Sequence, residues 1–91
     1  KGIKRDAEPT LEYINDAAEK YVKDDKRLIR NVSIYLSRKY TQKTLNEIAS
    51  FYGKIQYTGI SQVYRRMEKR REENGKLEML LAKLEAEILK C

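Results

Sequence analysis

Residues 44–73 read TLNEIASFYGKIQYTGISQVYRRMEKRREE. The first four of these, Thr44-Leu45-Asn46-Glu47, form a T-x-x-E capping box. In it the threonine oxygen accepts from the Glu47 amide and the carboxylate reaches back to the Thr44 amide. The box predicts a short helix with Leu45, Ile48, Ala49 and Tyr52 facing inward and Gly53 stopping it. After a joint over residues 54–57, a second helix is expected from about Thr58 to Glu73. Its inner face is Ile60, Val63, Tyr64 and Met67, an i, i+3, i+4, i+7 set, and its outer face is Ser61, Gln62, Arg65, Arg66 and Lys69. A short capped helix, a glycine joint and a basic helix read together as a helix-turn-helix. Ala49 is small enough to let the two backbones approach. Gly53 permits a positive φ without steric cost. The spacing from Gly53 to Ile60 implies a slightly extended turn. A helix that protrudes in this way fits the major groove, where side chains near its N-terminus meet base edges.

Working outward, the rest of the chain is also expected to be helical, because one proline and four glycines leave few breaks. Residues 1–8 read as a frayed leader. Pro9 and Thr10 open a helix, with Thr10 as N-cap and Leu11, Ile14, Ala18 and Tyr21 at helical spacing through about Val22. Asp24 and Asp25 cap the next helix, which ends near Thr41 and has Leu28, Ile29, Val32, Tyr35, Leu36 and Tyr40 on its apolar face. Asn74-Gly75 breaks the basic helix. A last helix over 76–90 follows, with Leu77, Leu80, Leu81, Leu84 and Ile88 on one stripe. The expectation is one all-α domain of five helices over residues 1–91.

The charge is unevenly placed. The chain carries 20 Lys and Arg against 14 Asp and Glu, a net charge of +6. Residues 20–43 account for +6 and residues 60–76 for +3, while residues 1–19 hold −2 and the last fifteen −1. A central basic excess suits a phosphate polymer, whose condensed counterions Lys and Arg release. The plainer account is a solvated helix face. Several classes are excluded as readings. No apolar run approaches the ~18 residues of a membrane span, and no segment has the pattern of a signal peptide, so a cytoplasmic location is expected. Cys91 has no second cysteine to pair with. The absence of histidine removes Ser-His and Cys-His nucleophile pairs and most zinc sites, and no enzyme activity or cofactor is expected. Beginning at Lys1, the chain reads as a piece of a longer protein.

The stretch RNVSIYLSRKYTQKTLNEIASFYG, with RRMEKRREENGKL after it, resembles the C-terminal DNA-binding domain of the bacterial replication initiator DnaA. Without gaps from Arg30 to Glu68, matches to that family's pattern fall on Arg30, Leu36, Thr41, Thr44, Leu45, Glu47, Ile48, Gly53, Thr58, Arg65 and Glu68. The resemblance implies a five-helix, Trp-repressor-like bundle containing a helix-turn-helix that binds double-stranded DNA. Where the family signature reads Asp-His-Thr-Thr, this chain has Gln56, Tyr57, Thr58 and Gly59, so only Thr58 is kept. Asn46 replaces a proline, and the basic loop of Lys23, Lys26 and Arg27 is interrupted by Asp24 and Asp25. These departures imply a retained scaffold with a changed sequence preference, in a protein other than a replication initiator. Ser61-Gln62-Val63-Tyr64-Arg65-Arg66 is similar to the SQ-x-x-RR run in DnaA-like domains of transposases related to the REP-associated tyrosine type. A bacterial parent of that type fits.

The candidate DNA contacts are Lys26, Arg27, Arg30, Lys43, Thr44, Lys54, Gln56, Tyr57, Thr58, Ser61, Gln62 and Arg65. Each has a plainer reading. Arg65 could pair with Glu68 along its own helix. Gln62 can contact adenine through two hydrogen bonds or stay an idle surface amide. Thr58 can cap its helix. Lys43 and Thr44 stand at a helix start that suits a phosphate, yet Thr44 can be a purely structural cap. Tyr57 can stack on a sugar or pack on a neighbouring helix. The other tyrosines (13, 21, 35, 40, 52 and 64) are expected on inward faces. Two other functions stay open. One is an interaction or homodimerisation module using the stripe Leu77, Leu81, Leu84 and Ile88 of the last helix, although two heptads are short and folding back on the core is expected. The other is RNA binding through the same basic face.

Overall fold

The computed structural model describes residues 10–23, 25–53 and 56–89. Among them the chain is all-helical, with five helices and no strand. These are α1 (Leu11–Tyr21), α2 (Lys26–Tyr40), α3 (Leu45–Tyr52), α4 (Tyr57–Glu73) and α5 (Gly75–Ile88). The leader 1–8, Asp24, Lys54 and Cys91 lie outside the described residues. Among the described residues no helix is long and apolar enough to cross a membrane.

Side-chain caps start four of the five helices. Thr10 accepts from the Tyr13 amide at 3.0 Å, and the Asp25 carboxylate accepts from Leu28 at 3.0 Å. The Thr44 box is closed in both directions: Glu47 N–H donates to Thr44 Oγ1 at 3.1 Å, and Thr44 N–H donates to Glu47 Oε1 at 2.8 Å. Asn74 ends α4 and begins α5, its side-chain oxygen accepting from Lys76 and Leu77. The Asn-Gly break therefore works by capping the next helix. The fourth helix begins at Tyr57, with Gln56 as an N-cap that makes no side-chain bond. Thr58 is thus inside the first turn, which corrects the cap role read from sequence.

α2 is the central element and packs against α1, α3 and α4, while α5 closes the bundle over α1 and α4. Two apolar clusters flank α2. In the larger one Val32, Tyr35 and Leu36 meet Ile14, Ala17 and Ala18 of α1, Met67 of α4, and Leu77, Leu81, Leu84 and Ile88 of α5. In the smaller one Ile34 meets Leu11, Ile48, Ala49 and Ile60. Residues 32–37 are consequently buried without a break, Ser33 and Ser37 included. A single-face reading of α2 finds Val32, Tyr35 and Leu36 and misses Ile34, because a central helix is covered on more than one side. The buried serines are satisfied: Ser37 donates to the Ser33 carbonyl at 2.7 Å, and Ser33 bonds Asn15 at 3.4 Å.

Two tyrosines depart from the expected inward placement. Tyr13 and Tyr21 are exposed, and both hydroxyls reach Glu87 on α5, through its carbonyl and its carboxylate. Ala17 and the cap residue Val22 fill the core positions instead. Small residues there let α1 lie close to α2, which pushes the large rings to the rim.

Candidate nucleic-acid interface

α3 and α4 meet through Ile48, Ala49 and Ile60, with Leu45, Tyr52 and Val63 packed around them. Gly53 turns the chain between them at φ 67°, ψ 174°. This backbone region is essentially restricted to glycine. Ile60 and Met67 anchor α4 from behind, and Tyr64 stacks on Tyr35 with ring centroids 5.1 Å apart. The opposite side of α4 is open: Gln62, Arg65, Arg66, Lys69 and Arg70 are all exposed.

The structure separates the twelve candidate residues into groups. Gln56, Tyr57 and Thr58 are exposed at the start of α4, and Ser61, half-buried, lies one turn further along. With Gln62 and Arg65 they make one edge of the helix, about 13 Å long at 1.5 Å per residue. Arg65 makes no hydrogen bond or ion pair among the described residues, and Glu68 instead accepts from the Tyr35 hydroxyl at 3.0 Å. Lys26, Arg27 and Arg30 are exposed on α2. Their neighbour Leu28, which is half-buried, lines a groove with Met67, Arg70 and Asn74, so the start of α2 lies near the C-terminal half of α4. Lys43 and Thr44 precede α3, where Lys43 borders a groove also lined by Glu12 and Glu47. Lys54 lies outside the described residues.

Thr44 has little left to offer a phosphate. Its amide donates to Glu47 and its oxygen accepts from Glu47, so only the hydroxyl proton can point outward. The Thr44 amide bond also holds the Glu47 carboxyl below its ordinary value. An anion therefore already occupies the positive end of α3.

Sequence reasoning missed two basic residues of importance. Arg38 is exposed at the end of α2, with its guanidinium 5.8 Å from the Tyr64 ring centroid, so α2 adds a cation alongside α4. Its signal was a basic residue off the apolar face. Arg71 has a different role. It donates to Glu85 at 2.9 and 3.0 Å, to Glu78, and to the Tyr35 hydroxyl at 2.8 Å. These carboxylates, Glu85 first, raise its pKa, while Arg71 and then Tyr40 hold Glu85 down at about 2 against opposing burial. Arg71 is thus a tie between α4, α2 and α5, and its charge is taken up inside the molecule. Nothing in a helical repeat distinguishes it from Arg70, which is exposed.

No family model, curated protein or solved structure matches the chain. The class that the described residues define is an all-α bundle of five helices.

Proposed function

We propose that the chain binds double-stranded DNA as a helix-turn-helix domain, with α3 as the supporting helix and α4 as the recognition helix. The reading rests on one observation. The N-terminal half of α4 is braced by Ile60, while Gln62 and Arg65 stand in solvent on its other side. A groove-reading helix needs that combination: an immobile back and a polar, cationic front. Gln62 and Arg65 are assigned to base edges, and Lys26, Arg27, Arg30 and Arg38 to the phosphates on either side. The likeness to the DnaA C-terminal domain supports the same arrangement. The altered residues Gln56, Tyr57 and Gly59 give it a different target, in keeping with a transposase-type parent.

Selection from a pool of random duplexes, followed by titration of the winner across salt concentration, tests this proposal. The expected result is an enriched sequence whose affinity falls steeply with salt, since several phosphates are neutralised. No enrichment, or stronger binding to structured RNA than to any duplex, would overturn it.

A further inference from the structure

The stripe of α5 that could have paired with another chain is used up by the core, since Leu77, Leu81, Leu84 and Ile88 are all buried. The opposite side of the same helix carries a second apolar stripe. Met79, Ala82, Ala86 and Leu89 recur at intervals of three, four and three and are all exposed, Met79 at 63% and Leu89 at 54%. The fold does not require them, because a helix that already buries one face usually shows charge on the other. The charges along this stripe are sorted by sign. Lys76 and Lys83 follow one flank and Glu78 and Glu85 the other, each pair seven residues apart. In heptad terms Met79 and Ala86 are a, Ala82 and Leu89 are d, the lysines are e and the glutamates g.

We propose that this face pairs with the same face of a second copy of the chain, the two α5 helices running parallel. Charge selects both the partner and its direction. In a parallel pair a g residue faces the e residue five positions further along the other helix, so Glu78 meets Lys83 and the symmetry repeats the pair. In an antiparallel pair g faces g and e faces e, which sets glutamate against glutamate and lysine against lysine. Ala82 and Ala86 at the centre let the helix axes approach to about 8 Å. Glu78 bonds Arg71 but its side chain is still 49% exposed, so it can accept from a second cation. Glu85, at 15%, is committed to Arg71 and adds nothing across the interface. Two heptads bury little area, so the dimer is weak and concentration-dependent. This proposal is independent of DNA binding.

Sedimentation equilibrium of the full chain from micromolar to millimolar concentration tests it. The expected mass rises from 10.8 kDa toward twice that value. Ala86→Glu and Lys83→Glu should each keep the mass monomeric while helix content by circular dichroism is unchanged. Mixing Lys83→Glu with Glu78→Lys should restore association, because every cross-pair is again of opposite sign. Direction is read by cross-linking in a Cys91→Ser background. Met79→Cys and Leu89→Cys should each oxidise to a covalent dimer on their own. A monomer at every concentration, or cross-links formed only when the two cysteine variants are mixed, would overturn the proposal. A monomer would leave the face to a partner of another kind.

Discussion

At the scale of single residues, backbone geometry and exposure settle what a substitution does. Gly53 has φ 67° and ψ 174°, and nothing lies within 4 Å of where a Cβ would stand. The cost of Gly53→Ala is therefore conformational rather than steric, about 1–3 kcal/mol. Chemical denaturation should show a lower midpoint with unchanged slope. Arg65 is the complementary case, exposed and free of intramolecular partners among the described residues. Arg65→Ala should leave the melting temperature unchanged and weaken binding to the selected duplex by about 1–3 kcal/mol. Equal affinity of wild type and variant for every duplex would remove Arg65 from the interface. Arg71, six residues on, should behave in the opposite way. Arg71→Ala removes the guanidinium partner of Glu85 and Glu78 and the donor to the Tyr35 hydroxyl, so stability falls.

At the scale of elements, every helix but α4 is held by a side-chain cap at its start, and all five by apolar contacts along their length. α3 has only eight residues, too few to be stable alone in water. Its box therefore counts for more than the same box on a longer helix. Thr44→Ala should cost about 0.5–2 kcal/mol, measured by urea unfolding, and a duplex affinity that falls in step would mean α3 positions α4. α5 depends on packing instead. Leu84 is fully buried in the larger cluster, and Leu84→Ala should cost about 2–5 kcal/mol through lost contacts and a residual cavity. α2 shows why periodicity can mislead at this scale. Ile34 lies off the apolar face read from sequence, yet it is as buried as Val32 because α3 and α4 approach from the other side.

At the scale of the whole molecule, acid and base are divided between holding the fold and facing solvent. Glu85 ties Arg71, Tyr40 and Lys39, drawing α5 onto α4 and α2. Its carboxyl is held at about 2, below the ordinary 4.5. A depressed carboxylate stabilises the fold at pH above the ordinary value, and that contribution is lost as pH falls from about 4.5 toward 2. Glu47 and Glu78 are shifted in the same direction and add to the loss. The melting temperature should drop across that window. Glu85→Gln should start lower at neutral pH and drop less, and an identical profile for both proteins would show that the Arg71 tie contributes nothing.

The sequence by itself determined the helices and most of their ends. Caps are local chemistry, complete within four residues, so Thr10, Asp25, the Thr44–Glu47 box and the Asn74 break could all be read from order alone. The buried sets Ile60–Met67 and Leu77–Ile88 were legible for a similar reason, since one covered side imposes one spacing. Tertiary structure alone decided the burial of Ile34, Ser33 and Ser37, the exposure of Tyr13 and Tyr21, and the difference between Arg71 and Arg70. It also filled the first stripe of α5, leaving Met79, Ala82, Ala86 and Leu89 facing water. These outcomes depend on which helices pack together and at what angle. That information is carried by contacts between residues distant in the chain, and no local period or cap encodes it.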